Sequence, residues 1–108
     1  MRARRARATM AAMAAERRRA ERTEIAVECT LQRARGAPIR CETVDLGPGG
    51  MAVSSDRPLA ADEIVEFDLP AVHGRARVLR EQAYHVYALR FEALREGARA
   101  ELARMVGR

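Results

Sequence analysis

EIAVECTLQRARGAPIRCETVDLGPGGMAVSS, residues 24–55, decides the fold. In its first third Ile25, Val27, Cys29 and Leu31 alternate with Ala26, Glu28 and Thr30. A period of two marks a strand with one buried face, because successive side chains point to opposite sides. Gly36-Ala37-Pro38 then makes a turn. Ile39–Leu46 predicts a second strand and Met51–Ser55 a third, shorter one. Between them lies DLGPGG, residues 45–50, with one acid, one proline and three glycines. A tight hairpin needs only two residues of unusual backbone geometry. The surplus glycine predicts either a roomy turn or a loop whose backbone must come close to a ligand.

The pattern continues downstream. SDRPLAAD, residues 55–62, is a polar connection, and Ile64–Leu69 is a fourth strand stopped by Pro70. Gly74–Glu81 and His85–Phe91 are two more, joined by a short polar turn. Six short strands with close turns predict an antiparallel sheet, and closure into a barrel removes its edges. The period then changes: Leu94, Ala98, Leu102 and Val106, with Met105 beside them, recur at three-to-four spacing. They predict an amphipathic helix from about Arg95 to Val106, whose apolar face packs on the end or side of the barrel. The expected fold class is mainly β, a six-stranded antiparallel barrel with a C-terminal helix and an N-terminal arm.

A chain of 108 residues suits one domain. Its net charge of +5 is unevenly placed. Residues 1–22 hold eight arginines against Glu16 and Glu21, while residues 23–108 carry twelve arginines and thirteen acids. The basicity therefore belongs to an Ala/Arg-rich arm, residues 1–16, and the domain proper is residues 17–108. A protein that grips nucleic acid spreads positive charge over its folded surface, so this distribution argues against nucleic acid as partner. All 20 basic residues are arginine, as GC-rich bacterial codon usage produces. Residues 8–22 are rich in helix formers, but Met10 and Met13 are their only large apolar residues. So thin a stripe predicts a partly ordered arm.

Other chemistries find no footing. Cys29 and Cys41 fall at inward positions without metal-ligand spacing and read as small buried thiols. His73 and His85 stand outside any catalytic or metal motif, and no phosphate-binding loop or nucleophile elbow is present. Asp62, Glu63, Glu66 and Asp68 read as a solvated face. No enzymatic activity, cofactor or metal is expected. No apolar stretch is long enough to span a bilayer, so membrane insertion is not expected. The Arg-rich start lacks the continuous apolar centre of a secretion signal, and a cytoplasmic protein is expected.

Two features remain. Arg17, Arg18, Arg19 and Arg22 cluster just before the first strand. Arginine forks a phosphate, reads the guanine O6/N7 edge and stacks on a base. The other feature is DLGPGG. A carboxylate at Asp45 can accept from guanine N1 and N2, and glycines admit a flat ring against the backbone. RRAER, residues 18–22, and DLGPGG, separated by strand, turn and strand, resemble the RxxxR and [D/N]xSxxG motifs of the PilZ domain, the bacterial receptor module for cyclic di-GMP. YALRFEAL, residues 87–94, followed by a helix, resembles the family's C-terminal end.

The resemblance implies a six-stranded barrel with a C-terminal helix. It implies that Arg18 and Arg22 clamp phosphates and guanines. Arg17 before them implies two intercalated ligands. Asp45, Gly47, Gly49 and Gly50 would form the wall that receives a guanine. Gly47 stands where the family usually carries serine, so one hydroxyl is missing, a loss of about 1.5–3 kcal/mol if nothing replaces it. The implied function is a cyclic di-GMP receptor that changes the conformation of its N-terminal segment to regulate a protein partner in motility, pili or polysaccharide output. Two alternatives stay open here: a PilZ-like adaptor that no longer binds the nucleotide, and an electrostatic binder of nucleic acid or membrane through the basic arm.

Overall fold

The computed structural model describes residues 22–106. Seven strands precede one helix: β1 (Thr23–Glu24), β2 (Glu28–Gln32), β3 (Ile39–Leu46), β4 (Gly50–Ser54), β5 (Ile64–Leu69), β6 (Val72–Ala83), β7 (Val86–Leu94) and α1 (Ala98–Met105). Six of them close in the order β3-β2-β5-β6-β7-β4, with β4 returning to β3. Every pairing is antiparallel. The barrel interior follows from the period of two. In β5, Val65, Phe67 and Leu69 are buried while Glu66 and Asp68 are exposed. Leu31, Leu46, Met51, Val53, Val72, Val78 and Leu89 belong to the same core, and Phe67 stacks on Phe91 with ring centroids 4.9 Å apart. From α1, Ala98 and Leu102 are buried in the same cluster.

The expected first strand is split. β1 pairs only with Asp45 and Leu46, and the regular β2 pairing begins at Glu28↔Glu42. The cause is Thr43, 2% exposed. Its hydroxyl donates to the Ile25 carbonyl at 2.5 Å and accepts from the Val27 N–H at 2.9 Å, taking the place of a ladder bond. Ile25, Val27, Cys29 and Leu31 still face inward, the first two partly buried and the last two fully. Valine has threonine's shape without the hydroxyl. Thr43→Val should therefore destabilise the barrel by about 2 kcal/mol by leaving two backbone groups unsatisfied. A melting curve unchanged from the parent would mean that the bridge contributes nothing.

Other boundaries shift for local reasons. β6 begins at Val72 because Pro70-Ala71 makes a two-residue turn, with Ala71 at φ 63°. Its partner hairpin turns at Tyr84-His85, not earlier, and His85 sits in the turn at φ 62°. The helix starts at Ala98 because Gly97 before it adopts φ 84°, a left-handed conformation that glycine tolerates. Leu94, expected on the helix face, closes β7. Cys29 and Cys41 are free thiols and direct cross-strand partners. The Cys41 neighbour and burial push the Cys29 thiol pKa up, which keeps it protonated. Arg33 grips Glu63 through Nε and Nη2, tying the β2–β3 turn to the approach of β5.

Candidate ligand-binding site

Barrel closure brings the two sequence motifs together. β1 lies beside the end of β3, with Glu24 opposite Asp45, so Arg22 enters next to the aspartate. Its Nε donates to Asp45 Oδ1 at 3.0 Å and its Nη2 lies 2.8 Å from the same oxygen. Both contacts use Oδ1. The neighbouring Thr23 hydroxyl donates to the Val106 carbonyl at 3.0 Å, which pins this entry segment to the end of α1. The ion pair is about a third exposed on the arginine side, so water screens it and it opens at little cost.

The DLGPGG loop leaves β3 and returns as β4. Gly47 is buried and donates its N–H to the Gly50 carbonyl at 2.9 Å. Gly49 is exposed, with its carbonyl accepting from the Phe91 N–H at 2.9 Å. A Cβ at Gly49 would meet nothing within 4 Å, so this is the loop's open position. Gly50 differs. A Cβ there would lie 2.3 Å from the Leu89 carbonyl oxygen and 3.3 Å from the Arg90 Cα. The glycine at Gly50 thus answers to β4 packing against β7. Arg17 and Arg18, and the Met10–Met13 arm, lie outside the described residues.

The register also recruits residues that the sequence reading missed. Asp45, Ala52, Ala88 and Arg80 form one row across β3, β4, β7 and β6. At the usual strand spacing such a row spans about 14 Å. Ala52 and Ala88 are buried, and their small side chains keep the row low. Two register positions away, the next row on the same face runs from Gly50 to Arg90 to Arg77. Arg77 and Arg90 share Glu92, and their hydrogen bonds, Arg77's first, hold its carboxyl below the ordinary carboxylate range. Only the pairing of β4 with β7 could have disclosed these neighbours, since about forty residues separate Gly50 from Arg90.

Two cavities flank Pro48. One, about 260 Å³, is apolar and lies along α1 between Arg99, Leu102, Ala103 and Val106. The other, about 170 Å³, is bounded by Gly49, Phe91, Glu92 and Arg99. Pockets that enclose a small-molecule ligand run to about 300–1,000 Å³, so neither of these would swallow a nucleotide. Among the described residues no group of His, Cys, Asp and Glu is placed to hold a metal ion. Nor is any helix among them long and apolar enough to cross a membrane.

A family model described as PilZ domain matches residues 16–108. No curated protein matches the chain.

Proposed function

The chain belongs to the PilZ domain family, and on that premise we propose that it is a cyclic di-GMP receptor that signals by fixing its N-terminal segment to the barrel. The observation that carries this reading is the Arg22–Asp45 contact, which joins the arginine motif to the acid of the glycine loop. In this structure the two groups satisfy each other. A cyclic dinucleotide offers each a better partner: phosphate for the guanidinium fork, and guanine N1 and N2 donors for the carboxylate. Both described contacts use Asp45 Oδ1, and Oδ2 would take the first of those donors.

Arg17 and Arg18 would add to the clamp from the same segment. Drawing them onto the ligand fixes residues 10–22 at the barrel surface, beside the Thr23–Val106 contact. A partner would then meet a different face of the protein. This needs no reaction, only a ligand that favours one arrangement of the arm over another. PilZ domains are adaptors of this kind rather than catalysts, and the output in motility, pili or polysaccharide secretion is proposed on the family's precedent. Arg17 extends the proposal to two stacked ligands per site.

Calorimetric titration of cyclic di-GMP, with GMP as control, tests the reading. Saturable heat with cyclic di-GMP and none with GMP is expected, with a stoichiometry of two if Arg17 acts as proposed. Absence of heat at high ligand concentration would sink the receptor reading. It would point to an adaptor working by protein contact alone, with the hydroxyl missing at Gly47 as the first suspect.

A further inference from the structure

Arg77 and Arg90 share the Glu92 carboxylate unequally. Arg77 holds it twice, from Nε to Oε2 at 2.8 Å and from Nη2 to Oε1 at 3.4 Å. Arg90 reaches it once, from Nη2 to Oε2 at 3.2 Å. Arg90 is also the more exposed of the two, 58% against 34%. Arg77 also lies 4.0 Å from Asp62 Oδ1, so it is held by two carboxylates while Arg90 has only its share of Glu92. Arg90 stands directly opposite Gly50 in the β4–β7 register, two register positions from the row that holds Asp45. The sequence motifs do not include it.

We propose that Arg90 is a further ligand-binding arginine of this site, leaving Glu92 to take a phosphate of the bound nucleotide. The proposal rests on the receptor reading and adds a residue to it. The exchange is favourable because Arg90 trades a single carboxylate contact for a bidentate phosphate contact. Glu92 is not stranded, since Arg77 keeps its two bonds and neutralises the charge that would otherwise repel the phosphate. Glu92 therefore acts as a competitor that holds Arg90 when no ligand is present.

That competition makes a signature that a merely structural arginine would not produce. Cyclic di-GMP is titrated into the parent, Arg90→Ala, Arg90→Lys, Glu92→Gln, the Arg90→Ala/Glu92→Gln double variant, and Arg22→Ala. Arg90→Ala should lower affinity about tenfold to a hundredfold, the worth of a charge-assisted hydrogen-bonded contact. Lysine should recover part of it, because it supplies the charge without the fork. Glu92→Gln should raise affinity about threefold to tenfold by releasing Arg90, and that gain should vanish in the double variant. Thermal melts of each variant separate lost folding from lost binding. Parental affinity in Arg90→Ala, with Arg22→Ala still defective, would overturn the proposal and leave the receptor reading intact. A gain from Glu92→Gln that survives without Arg90 would also overturn it and move the role to Arg77. No binding by the parent would remove both.

Discussion

Arg22→Ala is expected to weaken cyclic di-GMP binding by about a hundredfold or more, because it removes two charge-assisted hydrogen bonds at once. The fold should scarcely notice. Arg22 lies ahead of β1, and its contact with Asp45 is a partly exposed ion pair, worth about 0–1 kcal/mol to stability. The melting temperature should therefore fall by no more than about 5 °C for a domain of this size. Large loss of affinity with little loss of stability marks a residue that touches ligand. The same variant separates the rival readings. For an electrostatic binder that uses the arm, Arg22 is one of eight arginines in residues 1–22, and its removal lowers binding only modestly. Deleting residues 1–16 reverses the contrast. It abolishes binding through the basic arm but leaves Arg17, Arg18, Arg22 and Asp45 in place, so cyclic di-GMP should bind as before. An Arg22→Ala protein that binds the nucleotide normally would remove the clamp from the mechanism.

Part of this site is legible in the sequence because it depends on local pattern. The alternation around Val65, Phe67 and Leu69 marks inward and outward faces, and the change of spacing after Leu94 marks a helix. The motif spacing sets Arg22 before the first strand and Asp45 at the end of a later one, and antiparallel pairing brings the two into contact. Thr43 was not legible. A threonine in a β pattern reads as an ordinary strand residue, and only the three-dimensional path of Ile25–Val27 shows its hydroxyl replacing a backbone bond. Arg90, Arg77 and Arg80 were invisible for a different reason. They become neighbours of Gly50 and Asp45 through barrel closure and through the bulges that set the β6–β7 register. Register is a non-local property, and one residue of slip turns every side chain to the other face.

Gly50→Ala is expected to destabilise the barrel by about 2–3 kcal/mol, the usual range for overpacking a well-filled site. In a domain of this size that lowers the melting temperature by roughly 10–20 °C. A Cβ at Gly50 would fall 2.3 Å from the Leu89 carbonyl oxygen, and its other near neighbours are also β7 backbone atoms. No side chain can swing aside to make room. β4 must instead back away from β7 at Gly50↔Arg90, the first pair of their ladder. Gly49→Ala should do the opposite. Its Cβ meets open space and its backbone is not left-handed, so stability should hold within about 0.5 kcal/mol. If a guanine lies against the loop, however, the added methyl occupies the ligand's space and affinity should fall. Paired melts and titrations of the two variants thus separate two reasons for glycine in DLGPGG. Stability lost at Gly50 and affinity lost at Gly49 would assign one glycine to the β4–β7 pairing and the other to the ligand. Full affinity in Gly49→Ala would mean that the ligand does not press on the loop there, leaving recognition to Asp45 and the arginines.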